Sequence, residues 1–251
     1  MHAIILAGGG AEVDAFAQQH GAANKALINI NGRPMFEYIF SAITASSRIK
    51  DVVIVGPVDD FASYARPGVT VLADSGDITD NCLVGIRSLP KDGRRVVLLT
   101  SDIPLVTAEI LDTYLDQVSA IEGDLLYPLI SQETNEARFP GMKRTYAKLR
   151  DGVFTGGNIM VIDPIIAEPI AAVVKRLVAK RKNVLAMGAV AGPFTMLRLA
   201  TGRLTIAQAE RRISQILRCR AVVVRCAFAE IGTDVDKESD LILAAAALKT
   251  S

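Results

Sequence analysis

Short apolar, β-branched runs alternate along the chain with longer stretches of helical spacing. Ala3–Leu6, Val52–Val55, Val69–Leu72, Val96–Thr100, Leu125–Tyr127, Asn158–Ile162 and Val222–Arg225 read as strands. Several are apolar throughout, the pattern of a sheet buried on both faces. Pro34–Ser46, Thr79–Ser88, Val106–Ile121, Pro164–Lys180, Thr205–Arg218 and Asp236–Leu248 carry helical spacing. Pro34 and Pro164 suit a first helical turn, and Thr205 with Gln208 forms a capping box. The alternation predicts βαβ units, hence an α/β fold with a mostly parallel sheet flanked by helices. No internal repeat or low-complexity segment interrupts it.

Composition narrows the picture. The 251 residues, half of them hydrophobic and 22% charged, exclude a disordered, collagen-like or coiled-coil chain; the length fits one large domain or two small ones, and a single domain spanning 1–251 is expected. A formal net charge of +1 gives no bulk attraction to nucleic acid. Cys82, Cys219 and Cys226 form no CxxC pair and lie in no His/Cys cluster, so reduced, structural thiols are expected. The first residues lack a basic n-region. The longest uncharged run, 183–197, has 15 residues, is broken by Gly188, Gly192 and Pro193, and falls short of the roughly 20 of a membrane span. The expectation is a cytoplasmic protein.

The charge is unevenly spread. Residues 1–167 hold 14 basic and 20 acidic side chains, whereas 168–220 hold 11 basic and two acidic ones. This second, helical stretch reads as an insertion before the last strand. It serves either as a packing or dimerisation subdomain with solvated cations or as a basic wall for an anionic substrate or a lipid headgroup surface. A homodimer and a peripheral membrane contact both stay open.

The chemistry-bearing segments begin with Leu6-Ala7-Gly8-Gly9-Gly10, where glycines after a first strand let backbone N–H groups approach a phosphate. A dinucleotide fingerprint fails because Val13 stands at the third glycine, and no GK[ST] of a Walker loop follows. Lys25 then follows Asn24 in NKALININGRPM, where it is either a solvated loop lysine or a cation for a phosphate. Asp102 emerges past the apolar strand 96–100 in Asp-Ile-Pro, where open α/β sheets bind ligands. A carboxylate there suits Mg²⁺. Asp236, in Thr-Asp-Val-Asp-Lys-Glu-Ser-Asp-Leu, reads from its position alone as a cap for the helix that follows.

LAGGG, Lys25, Gly32, Pro34, the Asp102-x-Pro104 step and the 234–241 segment together resemble the MobA-like nucleotidyltransferases of the GT-A-like NTP-transferase superfamily. The resemblance covers 1–163 and 221–248 and leaves 168–220 unmatched. The loop arginine of that family is missing, since 11–24 offers no basic side chain but His20, and Asn24 stands at the usual proline. The resemblance implies a GT-A-like, Rossmann-like sheet and Mg²⁺-dependent transfer of a nucleoside monophosphate from an NTP to a small phosphorylated acceptor. It implies nucleotide contacts at Leu6–Gly10, Lys25, Ser75, Gly76 and Asn81, and acceptor contacts at Gly157 and Asn158. Asp102 and Asp236 would bind the metal, with Lys25 and Asp102 catalytic. The 73–85 segment also reads as a plain capped helix start, and 156–158 as a plain turn into a strand. A glycosyltransferase using a nucleotide-sugar, or a catalytically degenerate nucleotide-binding module, are the alternatives. The nucleobase is open, as is the acceptor: sugar phosphate, polyol phosphate, molybdopterin-like cofactor or lipid-linked phosphate.

Overall fold

The computed structural model describes residues 1–8, 14–180 and 190–249. In chain order, β1 (His2–Leu6) leads to the short helix α1 (Ala15–Gln19). The small hairpin β2 (Asn29–Ile30) and β3 (Arg33–Pro34) then opens α2 (Met35–Ala45). Next come β4 (Val52–Val55), α3 (Val58–Phe61), β5 (Val69–Leu72) and α4 (Ile78–Ser88). β6 (Val96–Thr100), α5 (Ala108–Ser119), β7 (Leu125–Ser131) and α6 (Gln132–Arg138) follow. β8 (Ala147–Leu149), β9 (Gly152–Gly156) and β10 (Ile159–Ile162) precede the helices α7 (Ala167–Lys180), α8 (Pro193–Ala200) and α9 (Ile206–Leu217). β11 (Ala221–Cys226) and α10 (Glu238–Ala247) close the chain.

The strands pair in the order β5-β4-β1-β6-β10-β7-β9-β8, with β11 along the other side of β7. β1 runs parallel to β4 and β6, β4 to β5, and β7 to β11. β10 is antiparallel to β6 and β7, and β9 is antiparallel to β7 and β8. The sheet is therefore mostly parallel and flanked by helices, as the alternation predicts. Helices α7 to α9 stand before the last strand.

Alternation along the central strands fixes both faces. Ala3 and Ile5 of β1, with Val97 and Leu99 of β6, face one layer with Phe36 and Ile39 of α2 and Leu111 and Leu115 of α5. Ile4, Val53, Val55 and Leu98 face the other, with α4 and with Ile170 of α7. Burying such side chains stabilises by about 1.5–3 kcal/mol each. The capping box at Thr205 forms as expected, and Thr107 and Asp77 cap α5 and α4. All three cysteines are free. No described helix is long and apolar enough to cross a membrane.

Between 125 and 158 the chain departs from expectation. β7 does not stop at Tyr127 but continues through Pro128 to Ser131, and β8, β9 and α6 follow where no element was read. A proline normally demotes a strand interior. Here Pro128 lies where β7 changes partners on one side. Leu125 and Leu126 pair with β10, whereas Leu129 to Ser131 pair with β9. The fork needs no amide from residue 128 on that side, and the Pro128 carbonyl accepts the Gly157 amide at 3.1 Å.

Candidate active site

The carboxyl ends of β1 and β6 meet at one edge of the sheet. Beyond Leu6, the Ala7 amide donates to Val55 and the Leu6 carbonyl accepts from Ser101, which binds this turn to its neighbours. Gly8 admits no side chain: a Cβ there would lie 2.8 Å from Asp74 Cβ and 3.1 Å from Asn81 Nδ2. Gly9 and Gly10 lie outside the described residues.

Asn24 anchors the lysine that follows. Its Oδ1 accepts from the Ala26 amide at 2.7 Å, capping a single 3₁₀ turn over Lys25–Leu27, and its Nδ2 donates to the Ala7 carbonyl at 3.3 Å. Proline could do neither. The turn brings Lys25 to Asp102, with Nζ 2.6 Å from Oδ2, and to a short ion pair with Asp236. The two aspartates named from the sequence, distant along the chain, thus share one ammonium.

Asp102 sits just past β6. The Thr100 hydroxyl donates to its Oδ1 at 2.5 Å, and its carbonyl accepts the Val235 amide at 2.9 Å. That last bond ties the 234–236 segment to the strand end. It brings in Asp234, which ion-pairs with Arg144. One carboxylate oxygen from each of Asp102, Asp234 and Asp236 lies within 4.8 Å of the others. Asp236 does not cap α10. Lys237 occupies that position, and Asp240 Oδ2 accepts the Asp236 amide at 3.2 Å.

The electrostatics follow from this crowding. Burial opposes the charge on Lys25, but Asp102 and Asp236 outweigh it and hold the ammonium protonated well above its ordinary range. Burial, then the charges of Asp102 and Asp236, raise Asp234 in spite of Arg144. Asp236 is lowered, because Lys25 overcomes the burial that would raise it. Three carboxylates, against the ammonium of Lys25 and the guanidinium of Arg144, form a cluster of oxygen donors that could hold a metal ion. Hard oxygen donors of this kind fit Mg²⁺.

The segments expected to read base and acceptor flank this centre. Asp77 caps α4, and the Asn81 Oδ1 accepts from the Ser75 amide at 2.7 Å and its hydroxyl at 3.0 Å. Asn81 is therefore a buried brace, while Ser75 and Gly76 are exposed on the turn it holds. Gly157 is packed so tightly that a Cβ would lie 2.9 Å from both Ile231 and Pro128. The Asn158 amide donates to Ile231 at 2.8 Å, and its buried Nδ2 has no partner among the described residues. Sequence reasoning missed Arg144, Thr100 and Asn24 as parts of this centre. Of these, only Asn24 carried a local signal, a capping side chain one residue before the lysine.

A mostly parallel sheet flanked by helices, with carboxylates gathered past the end of β6, is an α/β fold of the nucleotidyltransferase type. The chain belongs to the family of the MobA-like NTP transferase domain, which matches residues 3–186. It is similar to a solved hypothetical transferase from Thermus thermophilus, at 37% identity and a TM-score of 0.85, covering 96% of this chain and 100% of that one. The 4-diphosphocytidyl-2C-methyl-D-erythritol synthase of Anaerococcus prevotii shares the fold, with 13% identity, a TM-score of 0.60, and 99% and 95% of the chains covered. The bifunctional protein GlmU of Parvibaculum lavamentivorans is 33% identical over 93 residues, 35% of this chain and about a fifth (21%) of that relative's length.

Proposed function

We propose that the protein transfers a nucleoside monophosphate from an NTP to a small phosphorylated acceptor, with release of pyrophosphate. The observation that carries this reading is the convergence of Lys25, Asp102 and Asp236 from three distant stretches of the chain. Leu6 to Gly10 cradle the nucleotide, and Ser75 and Gly76, braced by Asn81, lie along the base. Asp102 and Asp236, with Asp234 beside them, would hold Mg²⁺. Bound there, it would neutralise the phosphates and ease departure of pyrophosphate.

Lys25 stabilises charge that builds on the α-phosphate during transfer. Gly157 and the unpartnered amide of Asn158 hold the acceptor. An acceptor phosphate oxygen attacks the α-phosphorus in line as the bond to the β-phosphate breaks. With a second pKa of about 6, that phosphate is already ionised at neutral pH, so no general base is required. A peripheral membrane contact through 168–220 belongs to the same reading, supported by Phe194 and Leu197 of α8, which are 80% and 62% exposed.

The test is pyrophosphate release from each of the four NTPs with Mg²⁺ and a panel of sugar, polyol and alkyl phosphates. The wild type should release pyrophosphate only when an acceptor is present, and Asp102→Asn should not. Turnover of a nucleotide-sugar without pyrophosphate would instead make the protein a glycosyltransferase.

A further inference from the structure

Between the sheet and helices α4 and α7 lies a space that phosphate chemistry does not use. It is a cavity of about 430 Å³, within the roughly 300–1,000 Å³ of small-molecule pockets. It adjoins the candidate active site: Leu6, Thr100 and Asn158 line it, and Thr100 is the residue whose hydroxyl bonds Asp102. From there it runs past Cys82, Leu98, Met160, Ile162, Ile170 and Val174. The stretch from Asn158 to Ile162 alone is about 13 Å of strand, at about 3.3 Å per residue. None of the described lining side chains carries a charge.

Two lining atoms nevertheless want polar partners. Thr79 is 6% exposed, and its Oγ1, like Asn158 Nδ2, is buried with no hydrogen-bond partner among the described residues. Buried polar groups are nearly always bonded. An uncharged chamber of this size, joined to the carboxylate cluster through Thr100 and holding two unmet hydrogen-bonding atoms, calls for a ligand that is apolar along its length and oxygenated at one end.

Resting on the nucleotidyl-transfer reading, we propose that the acceptor is an amphiphile, a phosphate ester bearing a hydrocarbon chain. Its phosphate lies at the Lys25–Asp102–Asp236 cluster, its chain fills this cavity, and Asn158 and Thr79 bond oxygens of the head. The hydrocarbon is a spectator: the new bond joins the phosphate oxygen to the α-phosphorus, and pyrophosphate leaves.

The experiment titrates the full chain with methyl, butyl, hexyl and octyl phosphate in the presence of Mg²⁺. The expected series tightens about fourfold per added methylene, the fold-change implied by about 0.8 kcal/mol per buried CH₂. Ala171→Trp, which fills the cavity from α7, should flatten the series and leave Mg–NTP binding intact. In the wild type, octyl phosphate should also slow modification of Cys82 by methyl methanethiosulfonate at mildly alkaline pH. Cys219, outside the lining, serves as reference. A flat series in the wild type, an equal slope in Ala171→Trp, or protection of Cys82 by NTP but not by octyl phosphate overturns the proposal. Failure of the wild type to bind any Mg–NTP overturns the underlying reading instead, so the two failures are distinct.

Discussion

Replacing Asn24 by alanine removes both bonds that set the Lys25 turn against β1. The residue is buried, with its carbonyl oxygen on the Ala26 amide and its amide on the Ala7 carbonyl. Loss of a helix-capping side chain costs about 1 kcal/mol, and a buried carbonyl left without its donor adds about 1 kcal/mol more. The sum is about 2 kcal/mol. For a chain of 251 residues, 1 kcal/mol moves Tm by about 2–4 °C, so the loss amounts to about 4–8 °C. Lys25 rides on this turn, and a displacement of the order of 1 Å can cost about a hundredfold in rate. Calorimetry and pyrophosphate release on the same preparation read the two effects. Asn24→Ser, which can cap but cannot reach Ala7, should recover about half of the Tm loss. Asn24→Ala with an unchanged Tm and wild-type kcat would refute the claim that Asn24 positions the lysine.

Other expectations follow from the same geometry. Lys25→Met should lower kcat by about a hundredfold or more, the scale of a lost transition-state charge partner. It should also make Mg²⁺ raise Tm more than in the wild type, because Asp102 and Asp236 are left uncompensated; equal shifts would contradict the shared site. Gly8→Ala should weaken NTP binding in titration calorimetry, since its methyl meets Asp74 and Asn81 at a cost of about 1–3 kcal/mol. For pH dependence, the Lys175 ammonium and the Asp80 amide push the Asp77 carboxyl down to about 2 from 3.8. A lowered folded-state pKa stabilises above about pH 4 and is lost as pH falls toward 2. Exposure and salt screening keep this near 0.5 kcal/mol. Asp77→Asn, which retains the cap, should therefore melt below the wild type at pH 6 and converge with it near pH 2.5.

How much of this was legible in the sequence depends on how locally each feature is encoded. β1 and β6 announce themselves as apolar runs, and their ends fix where Gly8 and Asp102 emerge. Asp236 was legible because an acidic cluster preceded a helical pattern, and the choice between cap and ligand turned on one register step that only the fold displays. Arg144 was not legible, since nothing around it signals that β8 and β9 fold back to deliver it to Asp234. The β7 fork was hidden because Pro128 reads as a strand end until its partner switch is seen. Asn81 was legible as a polar residue in the right segment, but its hydrogen-bond capacity goes largely to Ser75. Burial of the Thr79 hydroxyl and the Asn158 Nδ2 around a shared cavity is a tertiary outcome with no local pattern.

The proposed reaction requires that the carboxylates beside Lys25 hold a divalent ion together with nucleotide. Electron paramagnetic resonance titration of Mn²⁺ in the presence of NTP measures this without turnover. The wild type should bind a single Mn²⁺ per chain, and Asp102→Asn and Asp236→Asn should each weaken it by about tenfold to a hundredfold, the loss of one charged contact. Equal Mn²⁺ affinity in all three proteins would contradict it.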